Sequence, residues 1–198
     1  MKRKISKRTF NDFVDSLKDK TRSYYYINSN LNRLQKAGFN LSAKLNNGDS
    51  LLHFAVKKDE VRLVKIFIKY GIILDLADLK GLTPLHLAVK DNKYQVAEAL
   101  LEAKANPNLG AELDQTPLHL AVINGNVEMI ELLRKYGADC FLVDEKNQDS
   151  IDYAIDEKEL PVIKHFYETV ELDQGKRKKL EEIMEGVKNE WSMGNPNK

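Results

Sequence analysis

Residues 83–89 read Thr-Pro-Leu-His-Leu-Ala-Val, and the same stretch returns at 116–122, 33 positions later. One period earlier, residues 50–56 keep the pattern as Ser-Leu-Leu-His-Phe-Ala-Val, and one period later, residues 149–154 keep it more weakly as Asp-Ser-Ile-Asp-Tyr-Ala. Four segments are therefore in register. A fixed period of this length is typical of a protein built from repeated units, each of which buries its apolar face against its neighbours.

Each of these four segments is predicted to begin an α-helix. Thr83 and Thr116 suit the N-cap, where a side-chain oxygen accepts an N–H that the helix leaves unpaired, and a proline suits the position that follows. Ser50 and Asp149 can cap the other two. A second helix is predicted to follow in each unit, and apolar residues at helical spacing mark it: Leu63, Val64, Phe67 and Ile68, then Val96, Leu100 and Leu101, then Met129, Ile130, Leu132 and Leu133.

Glycines mark the predicted ends of the second helices, where the chain needs a left-handed residue. Gly71 and Gly137 hold this position, and Gly38 holds it one period before the first unit. Lys104 replaces the glycine in the second unit, so that its turn is either strained by about 1 kcal/mol or built differently. Val170 stands there in the fourth unit, where a β-branched residue resists a positive φ, and the fourth unit is therefore predicted to be truncated.

The pattern resembles the ankyrin repeat, whose signature Thr-Pro-Leu-His-x-Ala opens the first of two helices. The resemblance covers roughly residues 31–170 and implies an all-α fold, a solenoid of helix-turn-helix units joined by β-hairpin-like loops. Its repeats would span 46–78, 79–111, 112–144 and 145–172. Residues 1–45 are predicted to form N-terminal helices that include a degenerate capping repeat, and residues 173–198 a C-terminal capping helix and tail.

Extra helices are predicted at both ends, because terminal repeats must cover an open apolar face. Leu31 and Leu34, leading to Gly38, predict a degenerate pair of helices over residues 16–44. Two further helices are indicated by apolar residues at helical spacing: Phe10, Phe13, Val14 and Leu17 near the start, and Leu180, Ile183, Met184, Val187 and Trp191 near the end, where Gly186 interrupts at a cost of about 1 kcal/mol.

The composition of the 198 residues is that of an ordinary folded protein, with 42 % apolar and 31 % charged residues. The formal net charge of +1 gives no large field that would steer the molecule to nucleic acid or to an anionic membrane. A single cysteine, Cys140, excludes an internal disulfide and a cysteine-rich zinc site and suits a reducing compartment. The start of the chain lacks the apolar core of a signal peptide and no apolar run reaches membrane length, so a cytoplasmic protein without membrane contact is predicted.

No catalytic, metal or cofactor site is predicted. His53, His86 and His119 recur once per unit, and packed helices stand about 8–10 Å apart, so their nitrogens cannot all lie within about 2.1 Å of one zinc ion. The resemblance implies instead that each histidine bonds backbone groups. Cys140 has no base nearby in sequence, and Asp139 opposes its ionisation. Since no Gly-rich phosphate loop and no isolated carboxylate pair appears either, we expect no enzyme, no cofactor and no small-molecule substrate.

The resemblance implies a protein partner, bound on a long concave surface made of hairpin tips and the outer side of each first helix. An adaptor or an inhibitor, monomeric by itself, is therefore predicted. Apolar members of the surface are its predicted anchor, and lysines at one end with acids at the other would orient a polar partner. The family register places the contact set at Asn46, Asn47, Lys57, Lys58, Leu79, Lys80, Leu82, Lys90, Asp91, Glu112, Leu113, Gln115, Ile123, Asn124, Glu145, Lys146, Gln148, Asp156 and Glu157.

The N-terminal segment offers an alternative function, because its basic residues outnumber its acids: Lys2, Arg3, Lys4, Lys7, Arg8, Lys18, Lys20 and Arg22 face Asp12, Asp15 and Asp19. Such a run is either a solvated helix face or a nucleic-acid contact of a regulator. The aromatic run of Tyr24, Tyr25 and Tyr26 could stack on bases, although packing in a core or an interface is the simpler interpretation.

A glutamate-rich segment lies near the C-terminus, where Glu181, Glu182 and Glu185 flank Ile183 and Met184. It resembles the export signal of effectors that intracellular bacteria inject through a type IV secretion system, among which ankyrin repeats are frequent. That interpretation would place the protein in the cytoplasm of a host cell. The other interpretation is that these glutamates are the charged side of the closing helix, and the sequence leaves both open.

Overall fold

A computed structural model describes residues 7–19 and 23–194, with side chains from 10–19 and 23–187. The chain divides into two units, unit 1 over Met1–Ala105 and unit 2 over Asn106–Lys198. The regular secondary structure of the described residues is entirely helical, which confirms the all-α fold class. None of the described helices combines the length and the apolar character needed to cross a membrane.

Unit 1 holds the helices of the N-terminal segment and the complete helix pairs of two repeats. Its helices are α1 (Lys7–Ser16), α2 (Tyr24–Lys36), α3 (Leu51–Lys57), α4 (Val61–Lys69), α5 (Pro84–Lys90) and α6 (Tyr94–Glu102). First helix packs on first helix and second on second, α3 on α5 and α4 on α6. Leu51, Phe67, Leu85 and Leu100 are fully buried in this stack, and burial of each such side chain contributes about 1.5–3 kcal/mol.

Unit 2 repeats the arrangement. A 3₁₀ turn (Glu112–Asp114) precedes α7 (Pro117–Ile123), α8 (Val127–Lys135), α9 (Ser150–Glu157), α10 (Leu160–Thr169) and α11 (Gln174–Gly194). Again α7 packs on α9 and α8 on α10, while α11 packs on α10 and α9. The first helices of both units begin at residues 51, 84, 117 and 150 and the second helices at 61, 94, 127 and 160, so the period of 33 in the sequence is the period of the structure.

The predicted caps at Ser50, Thr83 and Asp149 are confirmed. The hydroxyls of Ser50 and Thr83 accept the N–H of the residue three positions on, at 3.3 and 3.4 Å. The carboxylate of Asp149 accepts two such N–H groups, from Ile151 and Asp152, both at 3.0 Å. Each cap satisfies backbone donors that would otherwise be left without a partner at a helix start.

The predicted left-handed stops are confirmed as well. Gly71 and Gly137 end the second helices of their repeats with φ of +70° and +90°, and Gly38 follows α2 with φ of +79°. Lys104 keeps the same turn with φ of +75°. The turn is therefore strained and is not built differently. Val170 has φ of −117°, and the chain leaves α10 in an extended conformation as its β-branched side chain requires.

The pair of helices predicted for residues 16–44 is wrong, because the described part of that segment holds the single helix α2 beyond the end of α1. Ser23 caps α2 by accepting the N–H of Tyr26 at 3.3 Å, which starts this helix at Tyr24. Leu31 and Leu34 are buried as predicted. The helix predicted from Phe10 to Leu17 is present as α1, and Phe10 stacks on Phe39 with ring centroids 4.5 Å apart.

The C-terminal helix is present as α11, but its apolar stripe is buried only at one end. Leu180 is fully buried, Ile183 and Met184 are half-buried, and Val187 is 36 % exposed. The side chain of Trp191, the last predicted member of the stripe, lies outside the described residues.

Candidate partner-binding surface

Four hairpin tips lie between the helix pairs, tip 1 (residues 45–49) and tip 2 (78–82) in unit 1, tip 3 (111–115) and tip 4 (144–148) in unit 2. In every tip the first N–H donates to the fifth carbonyl, at 2.7, 2.8, 2.9 and 3.0 Å. The fourth residue is left-handed throughout, with φ of +83°, +75°, +56° and +61° for Gly48, Gly81, Asp114 and Asn147. The tips therefore share the closing hydrogen bond and the left-handed fourth residue, and both features repeat with the period of 33.

Tips 2 and 4 are each held by the side chain of their first residue. In tip 2 the carboxylate of Asp78 accepts the N–H of Lys80 at 2.8 Å and of Leu82 at 3.0 Å, and Asp144 makes the corresponding bonds in tip 4. Tip 3 has Ala111 in this place, whose side chain has no oxygen that could accept these N–H groups. There Leu113 takes a left-handed φ of +62°, a conformation that costs a residue with a Cβ about 1–2 kcal/mol.

The predicted contact positions of unit 1 lie at tips 1 and 2 and at the ends of α3 and α5. All are exposed except Leu82, which is half-buried; Leu79 is 81 % exposed. Lys57 is bound within the protein, since its ammonium group lies 2.7 and 2.8 Å from the carboxylate oxygens of Asp49. Lys58 lies 5.8 Å above the ring of Phe54.

The predicted contact positions of unit 2 lie at tips 3 and 4 and at the ends of α7 and α9. Two apolar members are exposed, Leu113 at 45 % and Ile123 at 38 %. Gln115 and Gln148 are half-buried and bonded, Gln115 to the hydroxyl of Tyr153 at 2.8 Å and Gln148 to Asp156 at 2.6 Å. The remaining members, Glu112, Asn124, Glu145, Lys146, Asp156 and Glu157, are exposed.

The repeated histidines are structural, as the resemblance implied. Nδ1 of His53 faces the N–H and hydroxyl of Ser50 at 3.1 and 2.8 Å, and Nε2 faces the carbonyl of Leu82 at 2.8 Å. His119 is placed in the same way, with the carbonyl of Gln148 at 3.2 Å. Because a backbone N–H donates to Nδ1, the proton is assigned to Nε2 and the ring is neutral. Burial holds the pKa of His53 and of His119 below its ordinary value.

A buried polar network in unit 2 was missed by the sequence analysis. The hydroxyl of Tyr153 donates to Asp144 at 2.7 Å, and that carboxylate also holds tip 4. Although burial opposes it, these hydrogen bonds keep the pKa of Asp144 below its ordinary value. The signal was available in the register, because Tyr153 occupies the position that Phe54, Leu87 and Leu120 hold in the other repeats and adds a hydroxyl there.

A second missed cluster joins α11 to the start of α9. Lys176 donates to the buried carboxylate of Asp149 and lies 3.1 Å from that of Asp152. Asp152 stands where the other repeats have histidine, so the fourth cap is made of two acids and requires a cation. Despite their burial, these hydrogen bonds raise the pKa of Lys176 and lower that of Asp152.

The described side chains form no metal centre. No group of three or more His, Cys, Asp or Glu side chains within 10–19 and 23–187 is placed to hold a metal ion. Cys140 is buried, and burial raises the pKa of its thiol, which disfavours the reactive thiolate.

The two terminal signals are placed only in part. Of the glutamate segment, Glu181 accepts the hydroxyl of Tyr167 at 2.8 Å, Glu182 lies 3.7 Å from Lys178, and Glu185 is exposed. Of the basic N-terminal residues, Lys18 pairs with Asp15 at 2.7 Å. Lys2, Arg3, Lys4, Lys20 and Arg22, and the side chains of Lys7 and Arg8, lie outside the described residues.

Two family models match the chain, one for ankyrin repeats in three copies over residues 23–111 and one for ankyrin repeats in many copies over residues 100–154. Together they cover about two thirds of the sequence, so the chain belongs to the ankyrin-repeat family. No curated protein matches it. Membership of this family indicates a protein–protein interaction module, and the family is in general a non-enzymatic scaffold.

Proposed function

We propose that the protein is a non-enzymatic adaptor or inhibitor that binds a partner protein through its hairpin tips and the adjoining ends of its first helices. The observation that carries the proposal is Leu79, a large apolar side chain 81 % exposed at tip 2. Lys80 beside it and Asn46 and Asn47 at tip 1 are exposed and polar. An apolar anchor inside a polar rim is the usual composition of a protein interface.

Unit 2 supports the same function with different residues. Leu113 and Ile123 are exposed at tip 3 and at the end of α7, and the carbonyl of Leu113 accepts the N–H of Glu145 at 3.1 Å, which links tips 3 and 4. Leu113 also holds a strained backbone conformation. Such strain persists where it positions a side chain for function, so Leu113 is the second proposed anchor.

The test uses a photo-cross-linking amino acid introduced at position 79 and, in a second protein, at position 73. Ile73 is the matched control because it is apolar and 55 % exposed in the same unit but is not in the contact set. A partner captured from lysate of the source organism or its host should cross-link at 79 and not at 73. Equal yields at both positions would contradict the proposal.

Affinity for that purified partner then measures each anchor. Leu79→Ser should weaken binding by about 2 kcal/mol or more, as interface hot spots do, and Ile73→Ser should not. In unit 2, Ile123→Ser has Val143→Ser, also exposed at 50 %, as its control. If all four variants bind as tightly as the parent, the hairpin tips are not the binding site.

A further inference from the structure

A groove of about 610 Å³ runs between α10 and α11 in unit 2, away from the hairpin tips. Residues 170–173 alone connect the two helices, and the hydroxyl of Tyr167, near the end of α10, donates to Glu181, near the start of α11, at 2.8 Å. Leu160 at the other end of α10 and Val187 on α11 also line the groove. From 160 to 167 is about two helical turns, or about 10 Å.

The floor of the groove is apolar and incompletely covered. It is formed by Leu160, Met184 and Val187, of which the first two are half-buried and Val187 is 36 % exposed. On α11 these residues continue the stripe whose first member, Leu180, is fully buried against the repeats. The stripe thus extends beyond what the fourth repeat covers. A flexible methionine side chain in such a place suits a surface that adapts to a bound helix.

The rim of the groove is acidic. Glu168, Glu181 and Glu185 line it, and Lys164 is the only basic residue among the described side chains that do so. Lys164 and Glu168 lie 3.8 Å apart with both side chains more than half exposed, so this pair is weak and screened by salt. The groove therefore presents net negative charge around an apolar floor.

We propose that this groove is a second docking site, which takes an amphipathic helix with an apolar stripe and Lys or Arg on its flanks. A partner helix has the right form, because a groove two turns long between two helices accepts side chains spaced i, i+4 and i+7. Basic flanks follow from charge complementarity with the three glutamates. A second copy of this chain is disfavoured, because a two-fold contact would bring both sets of glutamates together.

The probe is a fluorescein-labelled, end-capped peptide of about 15 residues, long enough to begin forming a helix. It carries leucines at i, i+4 and i+7 and lysines on the flanks. Fluorescence anisotropy with the full chain should show saturable binding at least about tenfold tighter than for a scrambled peptide of the same composition. Equal affinity for the two peptides would overturn the proposal.

Glu185 and Glu182 supply a matched pair of variants on the same helix, since Glu185 lines the groove and Glu182 does not. Glu185→Lys should lower the affinity for the peptide about tenfold, and Glu182→Lys should lower it less than about twofold. Equal loss in both would mean that the peptide responds only to overall charge, and no loss in Glu185→Lys would mean that it binds elsewhere; either result rejects the groove.

Two further readouts separate this site from others. Leu79→Ser, in unit 1, should leave peptide binding unchanged, and an equal loss there would place the peptide at the hairpin tips and overturn the proposal. Sedimentation of the chain alone reports self-association. A dimer that Glu185→Lys alters would show that a second copy occupies the groove, against the proposal.

Discussion

The side chain of Leu79 lies against the backbone of Gly48, so closely that a Cβ added to Gly48 would overlap its isobutyl group. Gly48 belongs to tip 1 and Leu79 to tip 2, both in unit 1. Because Gly48 has no side chain and a φ of +83°, the two tips approach each other, and Leu79 rests on tip 1 while most of its surface faces solvent. The proposed anchor of the binding surface is therefore supported by the neighbouring repeat.

Gly48→Ala should displace Leu79 at a modest cost in stability. A left-handed alanine costs about 1 kcal/mol, and the exposed leucine can rotate away. Gly71→Ala is the control, because Gly71 has φ of +70° and nothing near its Cβ direction. Both variants should lose about 1 kcal/mol, but only Gly48→Ala should shift the methyl resonances of Leu79. Unchanged resonances would show that the contact does not position Leu79.

Lys104→Gly should stabilise the protein by about 0.5–1 kcal/mol, because Lys104 is held at φ of +75° where glycine is free of strain. Lys65→Gly is the control, since Lys65 is exposed in the middle of α4 and glycine there should destabilise by about 1 kcal/mol. Urea denaturation measures both. The two changes in the free energy of unfolding should have opposite signs. A loss of stability in Lys104→Gly would show that the backbone of Lys104 is not strained.

Ala111→Asp should bring tip 3 to the arrangement of tips 2 and 4. The new carboxylate would accept the N–H groups of Leu113 and Gln115, as Asp78 and Asp144 do in their tips, and add about 0.5–1.5 kcal/mol. Ala111→Glu carries the same charge on a longer side chain and should not stabilise. If the two variants behave alike in thermal denaturation, the hydrogen-bonding account of tip 3 is wrong.

Lys176→Gln should destabilise unit 2 by about 1–3 kcal/mol, because it leaves the buried carboxylate of Asp149 beside Asp152 without a cation. The control is Lys178→Gln, which removes an exposed pair with Glu182 at 3.7 Å and should change stability by less than about 0.5 kcal/mol. Hydrogen exchange should show faster opening at the start of α9 in the first variant. Equal stability of the two variants would contradict the role given to Lys176.

Stability should fall as the pH drops below about 6.5, the ordinary pKa of histidine. Since the pKa of His53 and of His119 is lowered by burial, the unfolded chain takes up protons first, and the stabilisation present above pH 6.5 is lost on acidification. His165, whose pKa is lowered by burial and by Arg134, adds to the same trend. Urea midpoints across this range check it.

His119→Gln should be less stable at neutral pH and show a shallower decline between about pH 6.5 and 5. Asp144 and Asp152 do not contribute to this decline, because their pKa values are lowered from 3.8. The stability that their ionised carboxylates provide is lost only in more acidic solution. A decline as steep as that of the parent would mean that His119 does not carry the pH dependence.

The sequence by itself determined the repeat, because the features that define it are local. A cap such as Thr83 needs only the backbone of the next few residues, a glycine such as Gly71 needs only its own φ, and the period of 33 brings them into register. Even the departure at Lys104 was visible, although the choice between its two outcomes was not. The predicted contact set also followed from register alone, and it stays a prediction until a partner is known.

Only the tertiary structure decided how distant segments complete one another. Lys176 neutralises Asp149 from 27 positions away, and Leu79 lies against Gly48. The α10–α11 groove stays open because the apolar stripe of α11 is longer than the part that the fourth repeat covers. The degenerate first pair of helices failed for the same reason, since the buried leucines of α2 fit a single helix as well as a pair. Helical periodicity states which face is apolar, and packing alone determines which segment covers it.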